Sequence, residues 1–310
     1  MIKYLKQIKL KNLAIIGGSG FVGKSIIDAF NRGLLKKYLI NEITIICRSK
    51  VNFKKSKLNL KKIKIVYTDV IKMKKLPKSD FYIYAAETTK INKYKNISQI
   101  IKKHKEAINN FCKLIKAEPN SSVLYLSSGI ADQKNQIDPD SKYKEIYSSL
   151  KLFSEKKIKL LKKDKINTSI ARCYTFIGRF LPMDEHYAIG NFLADAKHKR
   201  KINIKSKNLV YRSYMYADDM VDWLLTILEK TKKNNKIYNV GSDQQIELRK
   251  LASLISSFFN QKIKILSNNP KPNRVDRYVP NIKKTKNDFN LKINYNLKKA
   301  IKLTIKHITK

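Results

Sequence analysis

Residues 12–25 read Asn-Leu-Ala-Ile-Ile-Gly-Gly-Ser-Gly-Phe-Val-Gly-Lys-Ser, an apolar strand that runs into a glycine-rich turn and then a helix. Gly17, Gly20 and Gly23 stand three apart, and with Gly18 they are four of the nine glycines in the chain. Glycines at this spacing allow a tight turn and bring the backbone and a helix N-terminus close to a pyrophosphate. The stretch therefore predicts a nucleotide-binding turn, with a purely structural turn as the alternative. Its spacing differs from the GxxxxGK[ST] of a phosphate-hydrolysing loop.

Length and composition set the class of the protein. The chain has 310 residues, of which 43% are hydrophobic, enough for one large domain or for a main domain with a smaller partner. The formal net charge of +43 would suit a nucleic-acid backbone. Lysine is enriched in nearly every segment together with Asn and Ile, however, which favours a composition bias of the whole sequence over a binding patch. We expect no nucleic-acid partner, although the positive field will attract small anions.

Cysteine and histidine spacing argues against a disulfide framework or a zinc site. Cys47, Cys112 and Cys173 are far apart and form no CxxC motif, and the four histidines lack ligand spacing, so no metal is expected. The basic residues 1–10 have no continuous apolar core, and the sequence has no run of about 20 apolar residues that could span a membrane. We therefore expect a cytoplasmic protein with no membrane association.

Apolar runs and amphipathic segments alternate through the first half of the chain. Helices are predicted after the first strand, up to about Gly33, and over residues 97–117, where apolar residues recur at helical spacing. Such alternation implies right-handed crossovers and a parallel sheet with helices on both faces. Five strands are predicted in this half, at residues 13–16, 43–47, 63–67, 81–86 and 122–126.

The carboxyl ends of these strands define a rim, and ligands of such sheets bind beyond that rim. The residues predicted on it are 17–22, Cys47-Arg48, Asp69-Val70, Ala85-Ala86 and Ser127-Ser128-Gly129.

A helix is predicted over residues 143–163, directly after the strand that ends in Ser127-Ser128. Tyr147 and Lys151 are four apart on it, so they share a face one turn from each other. A tyrosine hydroxyl titrates at about pH 10 in isolation and is a poor base at neutral pH. A lysine one turn away favours the phenolate, which makes the pair a candidate acid/base. The alternative is an ordinary half-buried tyrosine beside a solvated lysine.

The order of these motifs resembles the extended short-chain dehydrogenase/reductase superfamily, in particular its NAD(P)-dependent nucleotide-sugar epimerases and dehydratases. The resemblance covers nearly the full length of the chain. It rests on the glycine turn, Asp69, Ala85-Ala86, Leu-Ser-Ser-Gly at 126–129, Tyr-Ser-Ser-Leu-Lys at 147–151, and residues 171–178, 211–219, 238–242 and 276–280.

This resemblance implies a Rossmann-type, doubly wound parallel α/β sheet with a smaller C-terminal substrate-binding lobe. The dinucleotide-binding domain is expected to comprise residues 1–172 plus about 213–245, including a sixth strand at 166–172 and a helix at 217–229. The nucleotide-sugar-binding lobe is expected to comprise residues 173–212 plus 246–310. A loop and helix over the cleft are expected at 180–199, and the lobe's helices at 247–259 and 297–308.

The resemblance also implies an activity, which is hydride transfer at a ring carbon, C4 by preference, of a nucleoside-diphosphate sugar. The enzyme would be a 4-epimerase or a 4-keto reductase. Its catalytic residues would be Tyr147, which moves the proton, Lys151, which also holds the nicotinamide ribose, and Ser128, which binds the sugar oxygen. Ser128 is preferred to Ser127 because in relatives the second hydroxyl residue of this strand end holds the position. A strand-end cap is the alternative role for Ser128.

The cofactor is expected to be NAD(P). Asp69 resembles the family residue that accepts a hydrogen bond from the adenine amino group, and a plain turn aspartate is the alternative. Enzymes that bind NAD usually carry a carboxylate at the end of the second strand, but residues 46–50 have none. Arg48 could instead pair with a 2′-phosphate, which favours NADP slightly over NAD, unless Arg48 is one more exposed cation. The residues expected to contact the cofactor are Gly17, Gly20, Phe21, Val22, Gly23, Arg48, Asp69, Val70, Ala85, Ala86, Tyr147 and Lys151.

Substrate contacts are expected at Ser128, Asn191, Arg212 and Arg277, because arginine pairs through its fork with phosphate oxygens. One departure from the family pattern bears on the reaction. Sugar 4,6-dehydratases carry Asp-Glu directly after the strand-five hydroxyl residue, and decarboxylases usually keep the glutamate, but here Gly129-Ile130 stand there. Dehydration and decarboxylation are therefore less favoured than epimerisation or ketone reduction.

Two further expectations concern partners. The family resemblance and the broad apolar faces of helices 97–117 and 143–163 predict a homodimer through these helices. The alternative function is that of a non-catalytic RNA-binding protein on the same scaffold, since some chloroplast RNA-binding proteins derive from this superfamily. The intact set of Ser128, Tyr147 and Lys151 favours the enzyme.

Overall fold

The computed structural model describes residues 9–48, 53, 56–86, 96–132, 142–164, 166–183, 187–204, 206, 208–231, 236–259, 265–267 and 271–309. The strands are β1 Lys11–Ile16, β2 Ile40–Cys47, β3 Ile63–Tyr67, β4 Phe81–Tyr84, β5 Ser122–Ser128, β6 Asn167–Cys173, β7 Phe176–Ile177, β8 Ile202–Ile204, β9 Asn208–Ser213, β10 Met215–Tyr216, β11 Ile237–Val240, β12 Gln245–Glu247, β13 Ile265–Ser267 and β14 Lys271–Tyr278. The helices are α1 Phe21–Asn31, α2 Ile97–Leu114, α3 Lys142–Leu160, α4 Ala188–Lys197, α5 Ala217–Lys230, α6 Leu248–Ser256, α7 Lys283–Phe289 and α8 Leu297–Ile308.

A seven-stranded sheet forms the centre of the molecule, in the order β11-β6-β5-β4-β1-β2-β3. Every neighbouring pair in it is parallel. The order reverses between β1 and β4, so the carboxyl ends of these two strands flank a crevice of the kind in which doubly wound sheets bind ligands. The predicted parallel α/β sheet is confirmed.

The central position of β1 explains why its residues 13–16 are apolar without interruption. Successive side chains of a strand point to opposite faces, and here both faces are covered by helices. Leu13 and Ile15 join the core cluster that contains Trp223 of α5, whereas Ala14 and Ile16 join the cluster that contains Phe111 of α2. An alternating polar pattern could not satisfy both faces.

A third core cluster lies in the C-terminal lobe, where α4, α6 and α8 pack together. Its fully buried members include Leu193, Leu251 and Ile301. A three-stranded sheet of order β12-β9-β14 accompanies these helices, and β14 runs parallel to β9. This sheet brings residues 210–212 and 276–278 side by side.

The predicted and observed bounds differ mainly at strand ends. β3 has the predicted bounds, β4 ends at Tyr84 rather than at Ala86, and β5 continues to Ser128 rather than stopping at Leu126. The edge strand of the central sheet, β11, was not predicted as a strand. The division into a dinucleotide domain and a substrate lobe stays a prediction.

No helix in the described part of the chain is both long enough and apolar enough to cross a membrane.

Candidate active site

The glycine turn links β1 to α1, and packing requires two of its glycines. Gly17 has φ +82° and donates its N–H to the Ile46 carbonyl at 2.8 Å. A Cβ at Gly17 would lie 2.4 Å from Ala86 Cα, and a Cβ at Gly23 would lie 2.0 Å from the Gly18 carbonyl oxygen. Any side chain at either position would push β1, β4 and α1 apart.

Gly20 differs from these two, because no neighbour excludes a side chain there. The nearest atom to a Cβ built at Gly20 is the Gly17 carbonyl oxygen at 4.0 Å. Gly20 is the N-cap of α1, and the helix start has neither a side-chain cap nor an acidic residue in its first turn. A helix N-terminus of this kind suits an anion, and a glycine there lets the anion approach the backbone. The turn therefore fits a dinucleotide pyrophosphate.

Phe21 and Val22 form the first turn of α1, so their backbone N–H groups lie at this helix start. The Phe21 ring stacks on Phe176, with 6.4 Å between centroids and 5° between planes. Ser25, which together with Lys24 resembles part of a phosphate-binding loop, donates its hydroxyl to the Phe21 carbonyl at 2.8 Å.

The other predicted cofactor residues lie at the carboxyl ends of neighbouring strands. Ala85 donates its N–H to the Ile16 carbonyl at 2.8 Å, which ties the end of β4 to β1. Asp69 caps the short helix Val70–Lys72 by accepting from the Ile71 N–H at 3.0 Å, as a turn aspartate does. Arg48 follows β2 and is exposed. Ser49 and Lys50 lie outside the described residues.

Lys151 is buried beside Tyr147, as the helical spacing predicts. Its ammonium donates to the Leu126 carbonyl at 3.0 Å and lies 5.4 Å from the centroids of Tyr147 and Tyr125. Only 3% of Lys151 is exposed, so its charge is held against the end of β5. Burial strengthens the field of such a charge on a nearby hydroxyl.

Ser128 and Ser127 make different contacts. The Ser128 hydroxyl lies 3.3 Å from the Tyr278 hydroxyl and accepts a long bond of 3.4 Å from the Ile130 N–H. The Ser127 hydroxyl donates to the Glu155 carboxylate at 2.6 Å. Ser127 is thus engaged in the interior, and this supports the choice of Ser128 as the reactive hydroxyl.

Glu155 belongs to a buried network under the end of β5. It accepts two bonds from the Arg172 guanidinium, Nε to Oε1 at 2.9 Å and Nη2 to Oε2 at 3.0 Å. Ser127 donates to Glu155 and Lys151 to Leu126, while the Ser148 hydroxyl donates to the Ile130 carbonyl at 3.0 Å. The end of β5 is therefore fastened to α3 on either side of Ser128.

The predicted substrate residues are spread over the lobe. Asn191 is exposed on α4. Arg212 forms a fork with Asp276, at 3.1 and 2.8 Å, and also donates to the Tyr211 carbonyl at 2.8 Å. The exposed Arg277 guanidinium lies 4.5 Å from the Tyr211 ring centroid. Arg212 and Arg277 thus lie on adjacent strands.

A family model supplies the identification. The model described as "NAD dependent epimerase/dehydratase family" matches residues 13–241, which include the glycine turn and the residues at the end of β5. The chain belongs to this family.

Individual members of the epimerase/dehydratase family match this chain at low identity. UDP-glucuronic acid decarboxylase 3 of Arabidopsis thaliana is 26% identical over 121 residues, which are 39% of this chain and 35% of that enzyme. The matched segment thus spans about a third of the plant enzyme.

Solved structures match over nearly the whole fold. An epimerase from Methanothermobacter thermautotrophicus has a TM-score of 0.80 at 16% identity, covering 97% of this chain and 93% of its own. A UDP-glucose 4-epimerase from Thermotoga maritima, solved with UDP-glucose, has a TM-score of 0.77 at 15% identity, covering 96% and 98%. At this identity the likeness concerns the fold.

For this epimerase/dehydratase family member, sequence reasoning missed what surrounds Gly129. A Cβ at Gly129 would lie 2.5 Å from Tyr174 Cζ. The Tyr174 ring packs in turn against Tyr278 of β14, with 4.7 Å between centroids. A side chain at the position after Ser128 would therefore require the Tyr174 ring to move. The glycine was visible in the sequence, but the ring that covers it was not.

Asn110 of α2 has a role that the sequence did not indicate. Its side-chain amide donates to the carbonyls of Val70 and Met73, at 2.7 and 3.0 Å. It thereby holds the turn after β3 that carries Asp69.

Among the residues that the structure describes, no group of three or more His, Cys, Asp and Glu side chains could hold a metal ion.

Proposed function

We propose that the protein transfers hydride at a ring carbon, C4, of a nucleoside-diphosphate sugar, as a 4-epimerase or a 4-keto reductase. The proposal rests on family membership and on the arrangement of Ser128, Tyr147 and Lys151 at the end of β5 and on α3. One observation disfavours loss of water. The Tyr174 ring lies against Gly129, the position at which dehydratases carry an aspartate, so a side chain there would require the ring to move. Ile130 stands where decarboxylases keep a glutamate.

In this proposal each side chain has a separate task. Tyr147 takes a proton from the sugar hydroxyl or returns one to the ketone, since a positioned hydroxyl of matched acidity can act in both directions. Lys151 provides the positive charge that stabilises the phenolate. Ser128 binds the sugar oxygen. When bound, the nicotinamide dinucleotide supplies the hydride acceptor or donor.

The residues present suit a dinucleotide, and they favour NADP slightly over NAD. Gly17, Gly20 and Gly23 shape the turn and leave the start of α1 open to a pyrophosphate. A carboxylate at the end of β2 would repel a 2′-phosphate, but the exposed residue there is Arg48. Its guanidinium can pair with phosphate oxygens.

Two further proposals concern substrate binding and assembly. Asn191, Arg212 and Arg277 contact the diphosphate of the sugar nucleotide from the lobe. The protein is a cytoplasmic homodimer joined through α2 and α3, where Ile97 and Leu160 are 39% and 49% exposed. Light scattering at micromolar concentration would oppose the dimer if it gave the mass of one chain.

The activity is tested with purified protein, NAD or NADP, and four sugar nucleotides: UDP-glucose, UDP-N-acetylglucosamine, dTDP-glucose and UDP-glucuronic acid. Proton NMR is expected to show a product inverted at C4 if the enzyme is an epimerase. If it is a reductase, the reverse reaction is expected to oxidise the C4 hydroxyl to a ketone, with one NADPH and one proton formed for each ketone. A 4-keto-6-deoxy sugar or a pentose as the product would overturn the proposal, as would failure to convert any of the four.

The residue assignment is tested with Tyr147→Phe, which removes only the hydroxyl. Turnover is expected to fall by about 10²–10⁴-fold, the usual contribution of a general acid/base, while dinucleotide binding and the melting temperature stay unchanged. Tyr143→Phe is the matched control, because Tyr143 lies one turn earlier on α3 and its ring stacks on Tyr147 at 6.2 Å. More than a tenth of wild-type turnover in Tyr147→Phe would remove Tyr147 from the reaction.

A further inference from the structure

Tyr278 connects the C-terminal lobe to the candidate catalytic serine. It is the last residue of β14, and its hydroxyl oxygen lies 3.3 Å from Ser128 Oγ, although 150 residues separate the two in the chain. Its ring packs on Tyr174, which is only 8% exposed. The position of the Tyr278 hydroxyl is thus set by the Tyr174 ring and by the serine itself.

The hydrogen-bonding capacity of Ser128 decides how the contact with Tyr278 affects the serine proton. A serine hydroxyl has one proton to donate and two lone pairs to accept with. Ser128 Oγ accepts from the Ile130 N–H at 3.4 Å, and a bond donated by Tyr278 would use the second lone pair. The serine proton would then be left for an oxygen of the substrate.

The environment of Tyr278 keeps it in the form that donates. Burial is the largest influence and raises the pKa of the Tyr278 hydroxyl well above its ordinary value, although the hydrogen bond with Ser128 lowers it; the neighbouring Tyr174 adds to the rise. Tyr278 therefore stays a neutral phenol throughout the neutral range. In the proposed function Tyr147, beside the Lys151 ammonium, has the opposite task of giving up its proton. Two tyrosines with such different surroundings can divide the donor and acid/base tasks of one site.

We propose that Tyr278 is a positioning residue that donates a hydrogen bond to Ser128 and so directs the serine proton to the sugar oxygen at the reacting carbon. This inference rests on the proposed function. It ties the chemistry at the end of β5 to the placement of β14, so that the lobe takes part in the reaction as well as in holding the substrate.

The test uses the full-length protein loaded with dinucleotide and the sugar nucleotide that wild type converts fastest among the four named above. Tyr278→Phe keeps the ring that packs on Tyr174 and removes only the hydroxyl. We expect kcat to fall about tenfold, the worth of one well-placed hydrogen bond, with KM within twofold of wild type. A purely structural role for Tyr278 would not divide kcat from KM in this way.

The matched control is Tyr216→Phe. Tyr216 is 6% exposed, and its ring packs on Tyr295 at the same centroid distance of 4.7 Å. Tyr216→Phe is expected to keep kcat within twofold of wild type. Thermal unfolding of both variants serves to show that the two substitutions cost similar stability.

A double-mutant cycle then asks whether Tyr278 acts through Ser128. In a Ser128→Ala background, Tyr278→Phe is expected to change kcat by less than twofold. A full tenfold loss in that background, or a kcat for Tyr278→Phe equal to that of Tyr216→Phe, would overturn the inference while leaving the proposed function intact. If wild type converts none of the four sugar nucleotides, the proposed function fails and this inference fails with it.

Discussion

Two arginine–carboxylate forks in this molecule, Arg172 with Glu155 and Arg212 with Asp276, have the same chemistry but different surroundings. In the first, the arginine and glutamate side chains are 15% and 4% exposed. In the second, the arginine and aspartate side chains are 24% and 33% exposed. In a buried pair, a charge that loses its partner is not solvated by water. In a hydrated pair, the free-energy cost is smaller when one partner turns to a ligand. The difference separates an ion pair that holds the site together from one that a diphosphate can compete with.

The largest effect is expected from Glu155→Ala. This change leaves the Arg172 guanidinium in the interior with Asp132, 3.8 Å away, as its remaining carboxylate, and it removes the acceptor of the Ser127 hydroxyl. Breaking a buried pair on one side typically costs about 3–5 kcal/mol, so we expect a loss of that size in the free energy of unfolding. Urea denaturation followed by circular dichroism measures it.

Asp195→Ala is the control for this loss, because it breaks the Arg200–Asp195 pair, whose arginine is 57% exposed. Exposed pairs contribute about 0–1 kcal/mol. Equal losses of unfolding free energy for Glu155→Ala and Asp195→Ala would contradict the structural role assigned to the Arg172–Glu155 fork.

Arg48 extends the comparison to an arginine that makes no ion pair with another described residue. If it binds a 2′-phosphate, NADP will bind at least tenfold tighter than NAD, a difference of about 1.4 kcal/mol. Arg48→Ala is expected to erase most of that difference and to leave the affinity for NAD within twofold. Calorimetric titration of both dinucleotides measures this, and equal or tighter binding of NAD to wild type would refute the NADP preference.

The smallest effect is expected from Asp276→Asn, which changes the Arg212–Asp276 fork. This change removes the carboxylate charge that competes with a diphosphate for the Arg212 guanidinium. A charge near a hydrated surface site contributes about 1 kcal/mol or less to binding. We expect UDP to bind about threefold tighter, with a loss of unfolding free energy below about 1 kcal/mol. In an Arg212→Ala background the gain is expected to disappear, and a gain that persists there would mean that Arg212 does not bind the phosphate.

Local signals in the sequence were enough for most of the central sheet, although not for its edge strand β11. β3 and α8 have the predicted bounds because each carries a complete apolar pattern with turn or cap residues beside it. Short strands such as β7, with two residues, are too brief to show a period. β14, Lys-Pro-Asn-Arg-Val-Asp-Arg-Tyr, has no alternation of apolar and polar residues and is held by pairing with β9. Such a strand is stabilised by pairing with its neighbour and cannot be predicted from a pattern in its own sequence.

The candidate site divides in the same way. Gly17, Tyr147 and Lys151 could be predicted because each belongs to a motif whose members are close in the chain. Tyr278 could not, because its partner Ser128 lies 150 residues earlier. Glu155 stands four residues after Lys151, and that spacing was a usable signal, but its partner Arg172 is reached only through the fold.

The order of the strands also governs when the protein becomes complete during its synthesis. Chains are made from the N-terminus, and their domains begin to fold as they emerge. The glycine turn and β1–β6 come early, the edge strand β11 waits until the chain has passed through β7–β10 and α5, and Tyr278 emerges later still. The newborn chain therefore acquires the parts of its nucleotide site well before the tyrosine that reaches Ser128, and a ribosome stalled before β14 would hold a protein without that contact.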